Sequence, residues 1–215
     1  ETVRGEIIVI VIVDTNLARN ENSYSELLGN RKQLKAIAAS NELYIPAVVI
    51  DEIVTQKRLS FLREQAQINT SFSIDEAESL AFEQVEEKIR SDKSIPFNVL
   101  PQAPVEYAFP RIYNWAINHE PPFEERSDKG FKDACIVASI DFFLEQSSEE
   151  KQVLICTDDK RMAEYFKNRT NITVEGDLKN VIKLNNRPKD KERVSKPQRT
   201  SDADMKNTAK DDVNA

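Results

Sequence analysis

The chain reads as an α/β protein built on a parallel sheet with helices on both faces, and three observations predict it. Ile7 to Val13 is an unbroken, largely β-branched apolar run, which suits a strand covered on both sides. Val153 to Cys156 repeats that character late in the chain. Stretches with helical spacing alternate with these runs, and only four glycines in 215 residues leave too few turns for a β-sandwich. Strand and helix patterns taken in turn mean βα units.

The elements follow in order. Ser25 to Ser40 places Leu27, Leu28, Leu34, Ile37 and Ala38 at helical spacing and is a first crossover helix. Asn41 ends it. Leu43 to Val49 reads as a second strand with a turn at Pro46, and Val48 to about Thr70 as a helix with Val49, Ile53, Leu59 and Leu62 on its apolar face. Ser73-Ile-Asp-Glu76 has the form of a capping box, opening a helix to about Arg90. These two helices make an insertion of about residues 54–92, longer than a crossover needs. Ile95 to Leu100, bounded by Pro96 and Pro101, predicts an edge strand, since proline donates nothing to a ladder. Helices are expected over Val105–Asn118, Lys129–Gln146 and Lys160–Asn168, and a last strand over Ile172–Val174. Residues 185–215, dense in mixed charge and lacking aromatic, leucine and isoleucine residues, are expected to be a disordered tail behind a domain of residues 1–184.

A composition of 40% hydrophobic and 31% charged residues is ordinary for a soluble domain, and the apolar runs are too short to span a membrane. Arg4 precedes an apolar stretch, but Asp14 and Asn16 stand where a signal peptide needs small residues, so a cytoplasmic location is expected. A net charge of -7 weighs against a nucleic-acid partner unless the acids gather in a metal site. Cys135 and Cys156 sit in apolar stretches as small hydrophobes rather than as a disulfide or zinc pair. With His119 alone in a proline-rich loop, no second histidine is present for a nucleophilic triad, and neither a Walker loop nor a dinucleotide fingerprint is found.

Carboxylates at strand and helix ends carry the remaining chemistry. Asp14 follows the first strand, at the edge where open α/β sheets bind ligands. Asp158 and Asp159 follow Val153–Cys156 in the same way, Glu52 lies early in the helix after the second strand, and Asp133 lies in the first turn of the Lys129–Gln146 helix. The last is also an ordinary place for an acid, favoured by the helix dipole. If the two acid-ended strands are neighbours, the carboxylates converge, and like charges at that range raise each other's pKa. Hard divalent cations resolve the conflict, and oxygen ligands suit Mg²⁺ or Mn²⁺ rather than Zn²⁺.

From about Glu6 to Leu184 the sequence resembles the PIN-domain nuclease family. The resemblance rests on Val13-Asp14-Thr15-Asn16, Ile45-Pro-Ala-Val-Val-Ile-Asp-Glu52, Lys132-Asp133-Ala-Cys-Ile-Val-Ala and Leu154-Ile-Cys-Thr157-Asp158-Asp159. It is nearest the larger bacterial subgroup with a helical insertion and a Gly-Phe-Lys-Asp helix start. The resemblance implies a three-layer α/β/α fold with five strands in the order 3-2-1-4-5. It implies a Mg²⁺- or Mn²⁺-dependent nuclease that usually cuts RNA, leaving a 5′-phosphate and a 3′-hydroxyl. Asp14, Glu52, Asp133 and an acid after the fourth strand would be its metal ligands and catalytic residues. The family's Thr-any-Asp pattern puts that acid at Asp159, with Asp158 as the alternate and Thr157 as an orienting hydroxyl. Asn16 either holds Asp14, binds substrate phosphate, or is a turn residue. Lys129, Lys132 and Lys160 flank the acids and either contact phosphates or form a solvated face. Arg19, Lys57, Arg58 and Arg63 offer an extension of that track, and Asp128 a fifth carboxylate or a helix start with Ser127.

Two other readings stay open. Phosphatases of the haloacid dehalogenase type also put an Asp after the first strand, but they want a second Asp where Asn16 stands, and their loop glycine is missing. A PIN-like module that binds or scaffolds without cutting is the non-enzymatic alternative, though all four acid positions are filled. Partners consistent with the resemblance are RNA or single-stranded DNA, a second copy, and a protein such as an antitoxin or a defence-complex subunit.

Overall fold

A computed structural model describes residues 9–19, 28–65, 87, 94–127, 129–147 and 151–185. Five strands, β1 (Ile10–Val13), β2 (Glu42–Pro46), β3 (Asn98–Leu100), β4 (Val153–Cys156) and β5 (Ile172–Glu175), form one sheet. The order is β3-β2-β1-β4-β5 and every pairing is parallel. The helices are α1 (Thr15–Ala18), α2 (Arg31–Ala38), α3 (Ala47–Gln65), α4 (Val105–Asn118), α5 (Phe131–Gln146), α6 (Lys160–Phe166) and α7 (Leu178–Asn185). α2 packs on α7, whereas α4, α5 and α6 pack on one another, giving helices around the sheet in three layers. This is the three-layer α/β/α arrangement, with the five-strand order expected from the resemblance.

Burial explains why β1 and β4 take the centre. All four residues of each are buried, and nothing polar interrupts either run. Their register sets Val13 beside Cys156, and the Asp14 amide continues the ladder by donating to the Cys156 carbonyl at 2.9 Å. β1 runs on to β2 on one side while β4 runs on to β5 on the other, so the strand order reverses between β1 and β4. The switch point lies at their carboxyl ends.

Several boundaries differ from expectation. β2 stops at Pro46 and α3 begins at the next residue, so Ala47–Val49 belong to the helix rather than the strand. A short apolar run looks alike in a buried strand and a buried helix, and proline's missing donor ends the ladder here. α2 starts only at Arg31, because Asn30 takes the left-handed conformation at φ 52° and Leu28 forms a bridge with Arg19. α5 begins at Phe131, two residues later than expected. α7 was not foreseen, although Leu178, Val181 and Ile182 give it an apolar face packed on the core. The proposed capping box, most of the insertion and all but the first residue of the expected tail lie outside the described residues.

Candidate active site

Four elements bring carboxylates to the switch point. Asp14 ends β1 and is only 4% exposed. One of its oxygens accepts the Thr15 amide at 2.6 Å, and the other accepts the Thr157 hydroxyl at 2.9 Å. Thr157, buried just past β4, uses the same Oγ1 to accept the Asp159 amide at 3.0 Å. One hydroxyl thus joins the ends of the two central strands. Asp159 caps α6, its Oδ1 accepting the Met162 amide at 2.7 Å, while Asp158 beside it is exposed.

Glu52, in the second turn of α3, accepts the Thr15 hydroxyl at 2.9 Å and the Lys132 ammonium at 2.9 Å. Thr15 went unnoticed in the sequence, although a hydroxyl next to an acid at a strand end was the signal that could have marked it. Asn16 is exposed, and Asp14's bonds run to Thr15 and Thr157. Lys129, Lys132 and Lys160 are exposed on the same rim.

Asp133 reaches the site because of how α5 begins. Gly130 precedes the helix at φ 115°, and a Cβ there would lie 2.7 Å from the Pro122 carbonyl oxygen. Only glycine fits this turn without strain. Arg161, also unforeseen, fastens the preceding loop to α6 by donating to the Phe123 carbonyl at 2.7 Å and the His119 carbonyl at 3.2 Å. No local sequence pattern predicted those long-range bonds.

The electrostatics follow first from burial and then from this crowding. Burial pushes Asp14 up to about 6, against the lowering effect of its bonds from Thr15 and Thr157, with the charges of Asp159 and Glu52 adding to the rise. Burial likewise pushes Asp133 up to about 7, helped by Asp14, Asp159 and Glu52 and opposed by Lys132. Asp14 and Asp133 therefore each feel the charges of Glu52 and Asp159, and Asp158 is absent from both sets of influences. As the side chains are placed, no three His, Cys, Asp or Glu among the described residues stand close enough to hold one ion. Each of Asp14, Glu52 and Asp159 is turned to a protein donor instead. The donor set nevertheless suits a hard divalent cation: it is all carboxylate oxygen, and two members are held in a protonation-prone state that positive charge would relieve.

The family model for the PIN domain matches residues 11–162, spanning β1 to the start of α6 and every acid named above. The chain belongs to the PIN-domain family. A comparison with curated proteins finds no match. The PIN-domain assignment makes this a member of a nuclease family whose domains generally use divalent metals. No helix among the described residues of this PIN domain is long and apolar enough to cross a membrane.

Proposed function

We propose that this PIN domain is a divalent-metal-dependent endoribonuclease in which Asp14, Glu52, Asp133 and Asp159 hold Mg²⁺ or Mn²⁺. The observation that carries the reading is the gathering of four carboxylates, drawn from β1, α3, α5 and the end of β4, near enough at the sheet's switch point that Asp14 and Asp133 each feel the charges of Glu52 and Asp159. Structural acids in a soluble fold have no reason to crowd in this way at a cost to their ionisation. When bound, such an ion lowers the pKa of a water and offsets charge on the phosphate.

The chain's own residues supply positioning. Thr157 aims the Asp14 carboxylate and ties Asp159 to it, and Thr15 steadies Glu52. Lys129, Lys132 and Lys160 are exposed near the acids and would meet the phosphates of the scissile strand, Lys132 once released from its pair with Glu52. Asn16, exposed beside Asp14, is a further phosphate contact. The working domain in this reading spans residues 1–184 and acts in the cytoplasm.

The test is to incubate the chain with labelled single-stranded RNA and DNA in EDTA, Mg²⁺ or Mn²⁺, beside Asp14→Asn and Asp133→Asn. Cleavage of RNA that needs metal, and falls by about 100-fold or more in each variant, is expected. Metal-independent cleavage, or variants as active as the parent, would refute the mechanism. Binding without cleavage under every metal would instead indicate a scaffold.

A further inference from the structure

We propose that the groove between α4 and α5 is a stacking platform for the unpaired bases of a single-stranded nucleic acid whose backbone crosses the carboxylate site. The groove encloses about 460 Å³ and is lined by the exposed rings of Phe109, Tyr113 and Phe131 together with buried Ile112 and Phe123. That volume is in the range of small-molecule pockets, roughly 300–1,000 Å³, and its lining is mostly apolar.

Three aromatic rings in water need a reason. Phe109, Tyr113 and Phe131 are 64%, 59% and 61% exposed, which is unusual for large apolar side chains on a folded surface. Phe109 and Tyr113 already lie stacked, with ring centroids 6.1 Å apart and planes 30° from parallel. Val48, in the groove lining, stands four residues before Glu52 on α3, and residues four apart share a helix face, so the groove opens on the side of the carboxylates.

Charge selects the occupant. The loop leading into α5 presents Arg126 and Lys129 to solvent, and Lys132, beside Phe131 in the first turn, is exposed while paired with Glu52 at 2.9 Å. Two described acids of that loop have partners: Glu124 accepts the Ser127 hydroxyl at 2.7 Å, and Glu125 pairs with Arg161 at 3.9 Å. Cations beside exposed aromatic rings fit a strand that offers phosphates on one side and bases on the other. A paired helix keeps its bases stacked internally and presents none to such rings. Polar groups in the groove are few, Gln102 and Ser139 among them, and Ser139 is occupied by the Ala103 amide and the Cys135 carbonyl. Recognition there is consequently by ring faces and tolerant of sequence.

The inference names the substrate form for the nuclease reading and rests on it only for the direction of the strand. Its test is fluorescence anisotropy of the full chain with a labelled single-stranded RNA in EDTA, together with a 2-aminopurine probe whose emission falls on stacking. Phe109→Ala, Tyr113→Ala and Phe131→Ala are each expected to weaken binding by about 5- to 100-fold, the range of one lost base stack, and to abolish the quenching. Phe131→Trp should retain both. All three rings are exposed, and unchanged circular dichroism and melting will show that the fold persists. Variants that bind and quench like the parent, or duplex RNA that binds the parent as well as single strands do, would overturn the proposal. So would variants that bind RNA normally but convert a dimer into monomers in sedimentation, which would give the groove to a second copy. Binding and quenching by a parent that cuts nothing with any metal would uphold the groove while refuting the nuclease reading.

Discussion

The Thr157 hydroxyl sits at the most constrained point of the site, donating to Asp14 and accepting from the Asp159 amide. Thr157→Val keeps the shape and removes both bonds. Metal affinity should fall by about 10- to 100-fold, as for other residues that orient ligands, and calorimetric titration with Mn²⁺ measures it. A second expectation concerns pH. Asp14 and Asp133 hold protons more tightly in the fold, at about 6 and about 7, than at the ordinary 3.8. Through that window the folded chain binds more protons than the unfolded one, so metal-free stability falls as pH rises from about 4 to about 7. Melting in EDTA should show this decline, and Asp133→Asn, neutral throughout, should shrink it. A decline as steep in that variant would show that Asp133 does not titrate in this range.

At the scale of elements, the start of α5 sets where Asp133 lies, and Gly130 sets the start. Gly130→Ala puts a methyl against the Pro122 carbonyl at a positive φ, which should cost well over about 1 kcal/mol and displace Asp133. Melting and Mn²⁺ titration should both register the change, whereas a purely local strain would lower melting alone. Farther along α5, buried Asp141 accepts Arg169 at 2.6 Å and the Tyr165 hydroxyl at 2.5 Å, joining α5 to the α6 region. Asp141→Ala should destabilise by about 1.5–3 kcal/mol, measured by urea unfolding, because its charged partner loses its acceptor.

The central strands were legible because β1 and β4 carry their burial in composition: each is apolar at every position. The acids were legible because a strand end is a fixed place in this kind of sheet. Less could be read where the answer depends on distant partners. Thr15 meets Glu52 across 37 residues, and Arg161 meets Phe123 across 38, and neither pair has a local pattern. The β2-to-α3 boundary was misplaced because Ala47–Val49 are apolar in either conformation. Side-chain direction was beyond reach as well, so converging acids could be foreseen but not that Glu52 would face Lys132.

For the whole molecule, an ion held by residues of four elements, as proposed, would stabilise the fold by mass action. Mn²⁺ at about 100 times its dissociation constant should add about 2.7 kcal/mol and raise the melting temperature by roughly 5–10 °C. Asp14→Asn should lose most of that gain, and an equal gain in the variant would show that Mn²⁺ binds elsewhere.

The switch between β1 and β4 has a mechanical consequence too. It is the seam between the half-sheet β3-β2-β1 and the half-sheet β4-β5, and the Asp14–Thr157 bond crosses it at the edge where the carboxylates gather. An ion drawn from both sides would act there as a rivet, raising the force needed to peel the two half-sheets apart and leaving a metal-stripped chain weakest along the line where its acids gather.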